Sequence, residues 1–276
     1  MDKMSVFEIL PNQNDVIRLV QITDSHIFSE ASGKLLGLNT RESFEAVFER
    51  INKEEWRADI LLATGDLSQD ASPESYQYLT QRFVQSGIQS FWLSGNHDDP
   101  DVMMEHMNEK NVSPAKLIHA GNWQIILLDS SVRDHVHGEL SVDELNFLEQ
   151  ALSNYKDKNT IIGLHHQPVS VDCDWIDKIG LKNANELKAI VSRHKQVKAV
   201  FWGHIHQRYH QKIEGVEWIA TPSTCVQFRP KSKEFSAGEE APGYRYFYLY
   251  PDGRFETVLH RIDTLEYTVD YTVKGY

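Results

Sequence analysis

The 276 residues contain only two cysteines, Cys173 and Cys225, which excludes a disulfide framework and any all-thiolate zinc site. So few thiols point to a reducing compartment. No apolar run approaches the roughly 18 residues that a membrane span requires, and residues 1–15 lack the apolar stretch of a secretory leader. A soluble cytoplasmic chain with no membrane partner is therefore expected. Positive charge is also scarce, with 28 Lys and Arg against 40 Asp and Glu, a net of −12. That surface repels phosphate backbones and anionic lipid, which argues against a nucleic-acid partner. Four signatures are missing as well: Gly-x-Gly-x-x-Gly, the Walker loop, the Gly-x-Ser-x-Gly elbow and His-Glu-x-x-His. Dinucleotide enzymes, P-loop NTPases, serine hydrolases and zincins thus lack their marks here.

No fixed-period repeat, low-complexity tract or Gly/Pro/Ser-rich linker divides the chain, so one domain over residues 1–276 is the simpler reading. Residues 222–243 are polar, carry Pro222, Pro230 and Pro242, and show no period. A loop of that length is expected to be functional and to shape a substrate pocket.

Short, nearly continuous apolar runs do recur, at 17–22, 60–63, 91–93, 125–128, 160–164, 199–202, 218–220 and 244–250. Runs of this length and character are strands buried on both faces. Helix starts lie between them. Asn39 with Glu42 opens a stripe of Phe44, Val47, Phe48 and Ile51; Ser72 before Pro73 opens Tyr76, Leu79 and Phe83; Ser141 with Glu144 opens Leu145, Leu148 and Leu152. Alternation of this kind predicts an α/β domain with helices covering a sheet.

Five of the strands run into Asp, Asn or His, at the carboxyl ends where open α/β sheets place their ligands. The segments are Thr23-Asp24-Ser25-His26, Gly65-Asp66-Leu67-Ser68-Gln69-Asp70, Gly95-Asn96-His97-Asp98, His165-His166-Gln167-Pro168 and Gly203-His204-Ile205-His206. Asp24 and His26, like His204 and His206, stand two apart, so in extended chain each pair would share a face and grip one object. A set of oxygen and imidazole donors without thiolate suits iron, manganese, zinc or cobalt. Glycine before Asp66, Asn96 and His204 allows close backbone approach. By composition, chance supplies about 0.9 of an Asp-x-His but only about 0.03 each of Gly-Asn-His and Gly-His-x-His, so the last two carry the weight.

The ordered set resembles the calcineurin-like metallophosphoesterase family, whose pattern reads Asp-x-His, Gly-Asp, Gly-Asn-His-Asp, His and Gly-His-x-His. Further segments tighten the resemblance to the bacterial class III 3′,5′-cyclic-AMP phosphodiesterases. They are Leu-Val-Gln-Ile-Thr-Asp-Ser-His at 19–26, Ala-Thr-Gly-Asp-Leu-Ser-Gln-Asp at 63–70, His-Gly-Glu-Leu-Ser at 137–141, Ala-Thr-Pro-Ser-Thr-Cys-Val-Gln-Phe at 220–228 and Ala-Pro-Gly-Tyr-Arg at 241–245.

The resemblance implies a four-layer αββα sandwich of two packed mixed sheets flanked by helices, and two divalent metal ions, Fe²⁺ or Mn²⁺. It would put Asp24, His26 and His206 on the first ion, Asn96, His165 and His204 on the second, and Asp66 between them. Where relatives commonly read His-His-Pro-Pro, this chain has His165-His166-Gln167-Pro168, which leaves His165 as the ligand choice and His166 as the alternative. The substrate phosphate would meet His26, Asp66, Asn96, His97, His165 and His206. His97 would be the catalytic imidazole, with Asp98 and Asp70 as supporting carboxylates.

Two divalent ions with Asp24, Asp66 and a bridging hydroxide leave a local charge near +1, which attracts a phosphodiester despite the acidic whole. Paired metals activate the shared hydroxide as nucleophile for in-line attack. Expulsion of a 3′-oxygen calls for a proton, for which His97, held charged by Asp98, is the candidate. The implied partner is a small cyclic nucleotide, cyclic AMP, cleaved to 5′-AMP. The enzymatic alternative is a broad glycerophosphodiester hydrolase, and the non-enzymatic one a metal-dependent interaction module. Bland readings stand beside these: solvent-facing imidazoles at His204 and His206, a simple turn at Asp66, a structural imidazole at His97, and at Asp70 a cap for the helix near Ser72. Gln227, Phe228 and Arg229 are the candidates for reading the base.

Overall fold

The structure, a computed structural model, describes residues 4–10, 16–55 and 57–275. In chain order the strands are β1 (Phe7–Ile9), β2 (Ile17–Ile22), β3 (Lys34–Leu35), β4 (Leu38–Asn39), β5 (Ile60–Thr64), β6 (Gln89–Leu93), β7 (Val112–Ser113), β8 (Leu117–Ala120), β9 (Trp123–Leu127), β10 (Asn159–Gly163), β11 (Val197–Trp202), β12 (Tyr209–Ile213), β13 (Val216–Ala220), β14 (Gly243–Leu249) and β15 (Phe255–Arg261). The α-helices are α1 (Thr40–Asn52), α2 (Pro73–Ser86), α3 (Pro100–His106), α4 (Val142–Asn154) and α5 (Ala184–Arg193). All eight apolar runs fall on strands, with ends displaced by a few residues.

Each of the first three expected helices starts on its expected cap. Asn39 Oδ1 accepts from Glu42 N at 3.1 Å, Ser72 Oγ from Ser75 N at 3.3 Å, and Ser141 Oγ from Glu144 N at 3.1 Å. These bonds satisfy amides that the first turn leaves without partners.

One sheet has the order β1-β8-β9-β10-β11-β13-β12 and the other β15-β14-β2-β5-β6-β7; β3 and β4 form a separate hairpin. The run β9, β10, β11, β13 is parallel, as is β2, β5, β6, β7, so in each sheet the carboxyl ends of several strands gather at one edge.

Three apolar layers result. Leu19, Ile60, Leu62 and Phe91 of one sheet meet Trp123, Ile125, Phe201 and Ile219 of the other. Val20, Ile22, Leu61 and Ala63 pack outward on Phe44 and Phe48 of α1 and Tyr76 and Phe83 of α2. Ile126, Ile162, Val200 and Trp202 pack outward on Leu148 and Leu152 of α4 and Leu187 and Val191 of α5. The order helix, sheet, sheet, helix is the expected four-layer sandwich. Its central strands are apolar on both faces because both faces are covered. At about 1.5–3 kcal/mol per fully buried large side chain, these layers hold the strand ends in place.

Candidate metal centre

The five expected segments leave β2, β5, β6, β10 and β11 and converge. Beyond the strands, the first two run on side by side, with Asp24 N donating to Gly65 O at 2.9 Å and His26 N to Asp66 O at 3.0 Å. The backbone here is not extended. Asp24, His26, Asp66, His204 and His206 all have φ between 46° and 63°, the left-handed region that side-chain-bearing residues seldom enter. The shared-face argument from extended chain is corrected accordingly: alternate left-handed residues, held by backbone bonds between adjacent loops, aim the side chains. His204 and His206 consequently point to different clusters instead of gripping one object together.

Those clusters are Asp24, His26 and His206; His165, His166 and His204; His26, Asp66 and His97; and Asp24, Asp66 and His165, each with ligand atoms within 4.8 Å of one another. Asp66 joins them: its Oδ2 lies 3.2 Å from His165 Nε2 and 3.9 Å from His26 Nε2, while Oδ1 accepts from His97 N at 2.8 Å. His206 Nε2 lies 3.3 Å from Asp24 Oδ1 and 3.2 Å from His26 Nε2.

The outer nitrogens explain why the inner ones face the centre. His206 Nδ1 is 2.7 Å from Val226 O, His165 Nδ1 2.9 Å from Thr64 O, and His26 Nδ1 2.6 Å from Gln69 Oε1. An oxygen acceptor keeps the proton on Nδ1 and leaves the Nε2 lone pair inward, the tautomer a metal ligand needs. The donor set passes a second test of fit to metal. Asn96 Oδ1, His166 Nε2 and His204 Nε2 are buried with no hydrogen-bond partner among the described residues. Each such group costs about 1–3 kcal/mol unless something satisfies it. A cation satisfies several at once.

Electrostatics agree. Burial holds His26, His166 and His204 well below the ordinary imidazole value, hence neutral and able to ligate. His165 departs from this: burial also lowers it, but the Asp66 carboxylate outweighs burial and raises that imidazole to about 9, so a metal bound there must displace its Nε2 proton. Burial in turn pushes Asp66 upward, yet His165 and its neighbours hold it well below the carboxylate range.

The glycines permit the close approach expected of them. A Cβ on Gly203 would overlap Thr23 Oγ1 and lie 2.7 Å from Asp24 Oδ2; one on Gly95 would overlap Asp66 Oδ1 and N. Gly65, at φ +87°, passes directly beneath the His165 ring.

The supporting carboxylates have definite partners. The oxygens of Asp98 accept from Leu67 N, Ser68 N, Gly95 N and Tyr76 OH, so it fixes the loops carrying Asp66 and Asn96. Burial and the Asp66 charge push it up to about 6. Asp70 accepts from Ser29 N and Oγ and from Ser72 N and Oγ. It braces the Ser72 cap and the segment after β2. Gln227 and Phe228, candidate base readers, are buried: the Gln227 amide donates to Ser223 O and Cys225 O, and the Phe228 ring stacks on His206 at 4.1 Å. The first part of 222–243 therefore supports His206 from beneath. A cleft of about 560 Å³ opens beside Asn96, walled by residues 131–136. Arg229 is exposed and lies 3.7 Å from Glu239.

Both His165 and His166 reach the second cluster, His166 with Nδ1 2.9 Å from Ser130 Oγ. His97 sits edge-on to His26, ring centroids 5.0 Å apart, with Nδ1 3.3 Å from Gln69 Nε2. Sequence reasoning missed Gln69 and Ser130 as supports, although Gln69 lies within one of the segments that carry the family resemblance.

A sandwich whose strand ends assemble paired imidazole–carboxylate clusters defines a class, and residues 17–208 match the calcineurin-like phosphoesterase family. The chain belongs to that family and is a metal-dependent hydrolase. It is 38% identical to the 3′,5′-cyclic adenosine monophosphate phosphodiesterase CpdA of Pseudomonas aeruginosa, over 99% of this chain and 100% of that one. Identity is 40% to CpdA of Escherichia coli K12, over 94% and 95%, and 42% to the 3′,5′-cyclic-nucleotide phosphodiesterase alr5338 of Nostoc, over 91% and 94%. Among solved structures, a dimetal phosphatase from Danio rerio shares the fold at TM-score 0.60 and 14% identity, covering 90% of this chain and 99% of that one.

Proposed function

We propose that the chain hydrolyses 3′,5′-cyclic AMP to 5′-AMP at a dinuclear centre, as a single cytoplasmic domain spanning residues 1–276. The observation carrying this reading is the joining of four clusters through Asp24, Asp66, His26 and His165, in a chain 37–42% identical to cyclic-AMP and cyclic-nucleotide phosphodiesterases over nearly its whole length. Asp24, His26 and His206 would hold one divalent ion; Asn96, His165 and His204 the other; Asp66 would face both. Fe²⁺ or Mn²⁺ fits this nitrogen and oxygen set. When bound, such a pair supplies Lewis acidity and lowers the pKa of water.

The residues do the rest. The cyclic phosphate sits against His26, Asp66, Asn96, His97, His165 and His206. Water adds across the P–O3′ bond: a P–O bond forms, P–O3′ breaks, and the departing 3′-oxygen takes a proton. His97, beside ligand Asn96 and held by Gln69 at Nδ1, presents its other nitrogen as the donor. Asp98 and Asp70 keep the carrying loops rigid.

The reading is tested by adding Mn²⁺ or Fe²⁺ to metal-free protein and offering cyclic AMP and glycerophosphoethanolamine separately. Metal-dependent 5′-AMP with little attack on the glycerol ester is expected. Comparable attack on both would make this a broad phosphodiesterase, and no product from cyclic AMP would overturn the reading.

A further inference from the structure

The cleft beside Asn96 shares its floor with the metal centre, since Gly95 and Asn96 line it. A phosphate held at the centre therefore leaves its organic part in this space. Its volume, about 560 Å³, falls within the range of small-molecule sites.

Three of the four carboxylates in the lining are turned to other work. Asp98 is bonded to backbone amides, Asp99 caps α3 by accepting from Asp101 N and Val102 N, and Asp129 accepts from Ser94 Oγ and from Ser131 N and Oγ. What the wall presents is Val132, Arg133, Asp134, His135 and Val136, with the exposed Asp134 beside the guanidinium. Val136 is 55% exposed, an apolar side chain in water at a cleft wall. Arg133 reaches Asp101 of α3, at 2.8 Å, and both side chains are exposed. An exposed ion pair of this kind contributes little, so the guanidinium can exchange that partner for a ligand. His135 Nδ1 donates to Arg133 O at 2.9 Å, which fixes the imidazole beside the guanidinium.

Two valines, a guanidinium and an imidazole in one wall form a surface for a flat, electron-rich ring, not for a glycerol chain. We infer that residues 131–136 form the nucleobase subsite of this centre, with Arg133 over the base and Val136 against its face. The inference rests on the cyclic-nucleotide reading above and gives it its selectivity: the metal ligands hold the phosphodiester, and this wall selects the nucleoside.

The test uses Mn²⁺-loaded protein and calorimetric binding of 5′-AMP and of ribose 5-phosphate, which lacks the base. Wild type is expected to bind 5′-AMP roughly tenfold more tightly than ribose 5-phosphate, the scale of one partly desolvated cation–π contact. Arg133→Ala and, separately, Val136→Asp should erase most of that preference. Ribose 5-phosphate affinity and metal content should stay within about twofold in both. Equal wild-type affinity for the two ligands, absence of 5′-AMP binding, or a preference surviving both substitutions would overturn the subsite. Failure of the cyclic-AMP reading shows separately, as absence of 5′-AMP production by wild type.

Discussion

Gln69 holds two histidines with the two ends of one amide. Its Oε1 accepts from His26 Nδ1 at 2.6 Å, and its Nε2 donates to His97 Nδ1 at 3.3 Å. Loss of a partner that orients a metal ligand typically lowers metal affinity or activity 10–100-fold. Gln69→Ala should therefore fall by roughly 10–100-fold in Mn²⁺ affinity or in kcat for cyclic AMP, measured by metal titration and steady-state kinetics. Wild-type values for both would contradict this role. The residue was hidden in the sequence because its partners lie 43 and 28 positions away. The two cysteines, Cys173 and Cys225, are small side chains of the interior. Both are buried, and burial pushes the Cys225 thiol up to about 12. A thiol so raised carries almost no thiolate at pH 8. Iodoacetamide should leave Cys173 and Cys225 unmodified in the native protein and label both after denaturation, as read by mass spectrometry; rapid native labelling would contradict the burial.

At the scale of elements, the site depends on loops passing closer than a side chain allows. Gly203→Ala places a methyl against Thr23 Oγ1 and Asp24 Oδ2. Overpacking of this sort costs about 1–3 kcal/mol. The variant should lose stability by about that amount in denaturant unfolding and bind metal more weakly; unchanged stability and metal content would show that the loops can part. The chain's punctuation made much of this legible. Glycines preceded Asp66, Asn96 and His204, and three helices began at capping residues. Helix α5 was not foreseen because it lacks the capping signal that marked the others: Asn183 makes no cap bond and instead pairs with the backbone of Leu140, although Leu187, Ile190 and Val191 form a buried stripe at helical spacing. The short α3 buries only Met103, too little for a stripe. Strands β12 and β15 lie at sheet edges with half-exposed, mixed sequences, so they lack the continuous apolar run that marked the interior strands. The left-handed backbone at the ligand residues was illegible for another reason. It is imposed by bonds between loops, not by the residues' own preference.

Across the whole molecule, polar groups stitch the two sheets together. Gln21 of β2 donates to Trp202 O and to Thr64 Oγ1, and accepts from Thr221 Oγ1. Arg245 of β14 donates to Thr221 Oγ1, Thr257 Oγ1 and Ala220 O, all neutral acceptors, and burial lowers it to about 10. Lysine keeps the charge but not the fork. Arg245→Lys should cost about 1–3 kcal/mol of stability by chemical denaturation, the scale of buried acceptors left unsatisfied; no loss would show that water or rearrangement replaces the fork.

Acid sensitivity is also a property of the whole fold. His26, His119, His166 and His204 are all held below the ordinary imidazole value, burial being the chief cause. Between their lowered folded values and about 6.5 the unfolded chain binds more protons than the folded one, so stability falls as pH drops through that window. His119 lies in β8, outside the metal clusters. His119→Gln should therefore flatten the slope of unfolding free energy against pH between 7 and 5 even with metal bound, and an identical slope would contradict the assignment.

The central claim is that a single chain holds two catalytic ions through shared carboxylates. It is tested most directly by titrating Mn²⁺ into metal-free protein while following 5′-AMP formation from cyclic AMP. The account predicts activity that rises to saturation at two ions per chain, and an Asp66→Asn variant that neither saturates there nor turns over. Full activity at one ion per chain, or in the Asp66→Asn variant, would contradict it.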